Sequence, residues 1–291
     1  MREFTENDNS CYLSEEGSQS DTLPVVPNNT HSDLFVMCHA SEIVVQNPDW
    51  SYVNPKNIKA PEDRDFGAGF YTCEKKDLWY PVSLYSKFEQ VYLNEYTFDI
   101  TGLRVLRLET NLIWVLIVAA HRHAGAGSKA SWKQQWSLLR EAILKVIDHY
   151  DMIIGPISND RMYSALDDFI DNLVSEEYII EAVNYMKYPL QYVSKSPKAD
   201  KQFKYVCHQE LSPSELQTSK EARLSSDSEM IRTMIQRRAA EKAKIKNGKL
   251  TSRLFKDLVA SCFIGIEDAT DEHRRQHVES LVKEWLSHGR C

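Results

Sequence analysis

Three side chains in the sequence have the chemistry and the company to act on a ligand. His39 ends the apolar run Leu34-Phe35-Val36-Met37-Cys38, Tyr71 follows Asp65-Phe66-Gly67-Ala68-Gly69-Phe70, and Gln191 sits in Leu190-Gln191-Tyr192-Val193-Ser194. An imidazole accepts or donates a hydrogen bond and moves protons near neutral pH. A phenol offers an aromatic face with a polar tip. A carboxamide orients a partner but takes no proton. Read singly, each has an ordinary alternative: a hydrogen-bonded histidine at a strand end, a core tyrosine, a strand glutamine. Asp151 and Asp160 flank the Gly155-Pro156 stop and read either as bases or as satisfied structural acids. The six cysteines are scattered, with no C-x-x-C pair and no histidine cluster at zinc-ligand spacing, so no structural metal is expected and the setting is read as reducing and cytoplasmic.

These residues need elements to position them. Residues 34–39 have the length and apolarity of a strand, and residues 69–73 form a second behind the two glycines, which allow a tight turn or a close backbone approach. A helix is expected over 74–89, with Pro81 in its first turns, then strands over 96–100 and 105–108 joined by Thr101-Gly102. Residues 112–120 are apolar throughout but too short to span a bilayer, and read as a buried helix. Trp132, Trp136, Leu139, Ile143 and Ile147 share one face of a helix over 131–150 that Ser131 can cap. Strands over 150–156 and 190–194 flank a helix over 163–185, and from Pro213 onward the texture is charged helix, with a break at Asn247-Gly248. The pattern points to an α+β fold with largely antiparallel strands.

With 291 residues, 42% of them hydrophobic, the chain can fill a core. Its net charge of −7 excludes a protein that coats nucleic acid or an anionic membrane over its whole surface. Positions 220 to 256 nevertheless hold eleven lysines and arginines against four acids, either a solvated helix face or a patch for phosphates or an acidic partner. Residues 1–32 are polar and show no periodicity; they read as a mobile arm or a tag for a partner, with no secretory leader.

Taken in order, Cys38-His39-Ala40-Ser41, Asp65 to Thr72, Tyr150 to Gly155 with Asn159-Asp160, and Gln191 to Ser196 resemble a toxin-like bacterial family of the ADP-ribosyltransferase superfamily, of the histidine-tyrosine-glutamine type, over residues 34–205. The resemblance implies an ADP-ribosyltransferase-like split β-core with surrounding helices over 33–211, followed by a charged helical C-terminal region over 212–291. It implies NAD as co-substrate, with His39, Tyr71 and Gln191 catalytic and His39, Ala40, Ser41, Gly69, Phe70 and Tyr71 binding the dinucleotide. By that likeness His39 bonds a ribose hydroxyl, Ala40 and Ser41 position the nicotinamide amide, Tyr71 stacks on nicotinamide, and Gln191 takes the place of a residue that is commonly glutamate. Two departures stand out. Ala40 replaces a usual glycine and adds a methyl group, and Gln191 cannot act as a base. The implied activity is transfer of ADP-ribose to a protein or nucleic acid, with a toxin or defence role and an antitoxin partner. A non-catalytic binding module and an NAD glycohydrolase are the alternatives.

Overall fold

The computed structural model describes residues 34–51, 64–85, 87–125, 131–158, 163–185, 189–248, 252–266 and 268–288. The expected arm over 1–32 and the candidate Asp160 lie outside them. The fold is α+β, built on a mixed seven-stranded sheet in the order β4-β5-β6-β2-β1-β3-β7. The strands are β1 (Leu34–Ser41), β2 (Phe70–Glu74), β3 (Tyr92–Asp99), β4 (Val105–Arg107), β5 (Met152–Pro156), β6 (Leu190–Ser194) and β7 (Phe203–Glu210). Among the described residues only the β4/β5 pair is parallel, in keeping with the expected antiparallel character.

Alternation sorts the strand side chains into two layers. Ile153 of β5 and Val193 of β6 enter the larger core, while Met152, Ile154 and Tyr192 turn to the opposite face with Met37, Phe70, Tyr96 and Phe203. The larger core is organised around α2 (Leu112–His121), all ten of whose residues are buried. Its entry is fixed by Asn111, whose side chain accepts a hydrogen bond from the Trp114 amide at 3.1 Å. The apolar face of α3 (Lys133–Ile147) carries buried Trp136, Leu139, Ile143 and Ile147 as the spacing required, but its first turn follows Trp132 and receives no side-chain cap, so Ser131 does not serve as one.

Three elements depart from expectation. Residues 74–89 form a 3-10 turn (Lys75–Asp77) and the short helix α1 (Trp79–Leu84), with Pro81 in its first turn. Residues 163–185 form α4 (Tyr163–Ile170) and α5 (Glu176–Tyr185), separated at Asn172, whose φ of 58° ends the first helix. The strand β7 was not foreseen.

The C-terminal helices are α7 (Pro213–Lys246), α8 (Phe255–Ser261) and α9 (Asp271–His288), after the four-residue α6 (Pro197–Asp200). Ser212 and Glu215 cap α7 reciprocally. Its basic residues meet acids of the neighbouring helices: Arg238 and Lys242 pair with Asp168 of α4, and Arg237 pairs with Glu181 of α5. Phe255 of α8 packs edge-on against Trp136 and Phe169, 5.2 Å from each, and Val278, Val282 and Trp285 of α9 join the same core. The change of texture near residue 212 therefore marks where helices take over, while the core runs on through them.

Candidate functional site

The sheet parts between β1 and β2. β1 and β2 are paired at Met37 with Glu74 and Cys38 with Cys73, whereas Phe70, Tyr71 and Thr72 pair instead with Ser194, Val193 and Tyr192 of β6. From His39 onward β1 stays with β3. Strand β2 thus changes neighbours midway, and a cleft of about 560 Å³ lies at the opening, lined among others by His39, Ser41, Val45, Arg64, Phe70 and Tyr71.

His39 sits at this fork. Its Nδ1 donates to the Tyr71 carbonyl at 2.7 Å, which fixes the tautomer and leaves Nε2 as an acceptor. Burial lowers its pKa to about 4, opposed by the bond to Tyr71 and reinforced by Arg64, so the ring is neutral at physiological pH. Phe70 lies 4.6 Å from it, centroid to centroid, and limits its rotation.

The ring of Tyr71 lines the same cleft while its hydroxyl points back into the protein. The hydroxyl donates to the Gly67 carbonyl at 2.7 Å and accepts from the Phe66 amide at 3.2 Å. Burial, followed by the charge of Asp65, pushes its pKa up, so it stays protonated. The Arg64 guanidinium lies 5.3 Å from the ring centroid, over its face.

The two glycines before Tyr71 serve the turn itself. Gly67 has φ of +69°, and a Cβ there would stand 2.8 Å from His121 Nδ1. At Gly69 a Cβ would lie 2.8 Å from the Ser194 carbonyl oxygen and closer still to Val193. Both close approaches are to protein atoms.

Ala40 and Gln191 fall elsewhere. Ala40 is buried with Val82, Val91 and Leu216 in a separate apolar cluster, so its methyl group does not intrude on the cleft as the departure from glycine implied. Gln191 is 6% exposed and donates to Asp65 Oδ2 at 2.8 Å and to the Pro156 carbonyl at 3.2 Å. The structure brings together His39, Ser41, Gly69, Phe70 and Tyr71 around the cleft and leaves Ala40 and Gln191 behind its walls. Asp151 is also committed. Although burial works to raise its pKa, bonds from Arg104 and Ser196 bring it down to about 2, and it acts as a structural acid.

Two residues the sequence reading passed over hold the site in place. Asn94 of β3, fully buried, accepts from the Val45 amide at 2.8 Å and donates to Ser41 Oγ at 2.9 Å and the His39 carbonyl at 3.2 Å. Ser41 in turn donates to the Ile43 carbonyl at 2.6 Å, so its hydroxyl is engaged in shaping the loop after β1. Asp65 accepts from Arg122 at 2.6 Å, from the Ser158 amide at 2.7 Å and from Gln191, tying the glycine-rich turn to the end of α2 and to β5 and β6. Alternation alone marks Asn94 as the polar residue on a strand face it shares with Tyr96 and Phe98, a signal available in the sequence.

Among the described residues no group of three or more His, Cys, Asp or Glu side chains can hold a metal ion, and no helix is long and apolar enough to cross a membrane. No curated protein and no solved structure matches the chain. Residues 35–205, more than half of the chain and including the whole fork between β1 and β2, match a family model, and the chain belongs to that family, described as protein of unknown function (DUF3990).

Proposed function

We propose that the protein is an NAD-dependent ADP-ribosyltransferase whose dinucleotide occupies the cleft at the fork of the sheet, in an ADP-ribosyltransferase-like split β-core. The observation that carries the reading is the pairing of a neutral His39, its Nε2 left as an acceptor, with the Tyr71 ring across a parting between two strands. In this arrangement Nε2 accepts a hydrogen bond from a ribose hydroxyl, and the Tyr71 ring presents an apolar face to the nicotinamide. Cleaving the glycosidic bond builds oxocarbenium character on the ribose and releases neutral nicotinamide, so the protein's work is to orient the dinucleotide and keep it from rotating. A Tyr71 hydroxyl locked to Gly67 and a His39 locked to the Tyr71 carbonyl provide that rigidity. The acceptor is a protein or nucleic acid, the setting is cytoplasmic, and a toxin role with an antitoxin partner follows from the resemblance alone.

The position of Gln191 favours a second reading. An amide buried against Asp65 neither lines the cleft nor activates an acceptor, which suits a binding module or, with water as acceptor, an NAD glycohydrolase. Nicotinamide release from NAD by wild type, His39→Ala and Tyr71→Ala, with and without cell lysate, separates the readings. Release that needs both residues and rises with lysate supports the transferase; lysate-independent release indicates the glycohydrolase. Folded wild type that gains thermal stability with NAD but releases nothing is a binding module.

A further inference from the structure

A second cleft, of about 460 Å³, lies beyond the glycine-rich turn, lined by Trp50, Gly67, Ala68, His121, Asp148 and Lys195 among others. We propose that it is a phosphate-binding site in which Lys195 and His121 hold the phosphate of a small phosphorylated molecule.

Lys195 is prepositioned. Its Nζ donates to the carbonyls of Phe66 at 2.5 Å and Ala68 at 2.6 Å, which fixes the ammonium against the turn and leaves a third N–H. Among the described residues no carboxylate stands within ion-pair distance of it. Burial lowers its pKa to about 8, with the charge of Asp148 working the other way. A partly buried ammonium that meets only neutral carbonyls is an incomplete ion pair.

His121, the last residue of α2, is 8% exposed, and its Nε2 has no hydrogen-bond partner among the described residues. An orphaned buried nitrogen is costly unless a ligand completes it. Burial is the largest influence holding its pKa down to about 3, followed by Lys195, Arg140, His123 and Arg122. The field at this imidazole is therefore positive. Arg122 is engaged by Asp65, and Arg140 by the Ala120 carbonyl and His123, so these add field without needing the ligand. An oxyanion supplies an acceptor for the third Lys195 N–H and sets a negative charge beside the His121 imidazole, which lines the cleft. Gly67 makes room, since any side chain there would run into His121. Trp50 offers an apolar surface to the organic part of the ligand, and exposed Asp148 opposes the anion.

The site stands apart from the NAD reading, because His39 and Tyr71 line the other cleft. The test follows the His121 imidazole signals by NMR in the full chain, assigned with His121→Gln, while inorganic phosphate is added at constant ionic strength. Phosphate is expected to shift them saturably in the millimolar range and to raise the His121 pKa. Lys195→Met should weaken phosphate at least tenfold, and Asp148→Asn, which leaves the turn untouched, should tighten it severalfold. Adenosine monophosphate and NAD, run as separate arms, identify the source: tighter binding of either than of phosphate assigns the site to nucleotides, and equal or weaker binding assigns it to free phosphate. His39→Ala should bind phosphate as wild type does. Unmoved His121 signals, the same shift with chloride, or an Asp148→Asn variant with unchanged affinity would overturn the proposal.

Discussion

Replacing Asn94 by alanine tests whether the loop bordering the first cleft is held from β3. The side chain is fully buried and makes four hydrogen bonds of 2.8 to 3.4 Å, to the Val45 amide, Ser41 Oγ and the His39 and Ile43 carbonyls. A net hydrogen bond contributes about 1 kcal/mol, and a buried group left without its partner costs about 1–3 kcal/mol. The Val45 amide loses its acceptor outright, so a total near 3 kcal/mol is expected. At roughly 2 °C per kcal/mol for a chain of this size, that lowers Tm by about 6 °C. Calorimetry reads the global effect, and hydrogen exchange reads the local one, as faster exchange of the Val45 amide. Asn94→Asp separates the two ends of the side chain: it can still accept from Val45, but it sets a carboxylate against the His39 carbonyl and removes the donors. It should be no more stable than the alanine variant at neutral pH. An alanine variant within about 0.5 kcal/mol of wild type, with Val45 exchange unchanged, would refute the argument.

Further predictions concern the turn, the buried amide and the core. Gly69→Ala should cost about 2 kcal/mol or more in chemical denaturation, because the new methyl group meets the Ser194 carbonyl, which cannot swing aside as a side chain could. Gln191→Glu puts a second carboxylate 2.8 Å from Asp65; it should destabilise the fold at neutral pH, and the deficit against wild type should shrink as pH falls and the pair takes up a proton. Phe255→Ala, which empties the space between Trp136 and Phe169, should cost about 3–5 kcal/mol although it lines neither cleft. His39 has a folded pKa of about 4 against roughly 6.5 unfolded, so its contribution is fully present above the unfolded value and is lost as pH falls through the folded one. Urea midpoints measured from pH 7 to 4 should decline, and less steeply in His39→Asn.

Much of the architecture was legible because burial writes a period into the chain. The apolar stretch over α2 and the stripe over α3 announced themselves, and so did β1, β5 and β6. The strand β7 did not, since Lys204, Val206 and Glu210 face outward on an edge strand and dilute its pattern. The division of α4 from α5 rests on one left-handed residue, Asn172, inside a run with continuous helical spacing. In the candidate site, His39 and Tyr71 were singled out by the family resemblance, since read singly a histidine at a strand end and a tyrosine after a glycine turn each had an ordinary alternative. The partners of Gln191 were out of reach, because Asp65 stands 126 positions earlier and only the folded sheet brings them together. Ala40 was readable in principle: on a strand where His39 and Ser41 face a cleft, the residue between them must face away.

The last consequence comes from the position of α8 and α9. The family segment ends at residue 205, yet Phe255 and Trp285 fill the interior that α2 and α3 begin. During synthesis the sheet and both clefts leave the ribosome well before the residues that close their apolar side, an interval of roughly 5–15 s at ordinary elongation rates. Throughout that time α2, apolar along its whole length, lacks the cover that Phe255, Val278, Val282 and Trp285 give its core in the folded chain. The larger core is thus completed only when its C-terminal helices have docked, about 80 residues after the family segment ends.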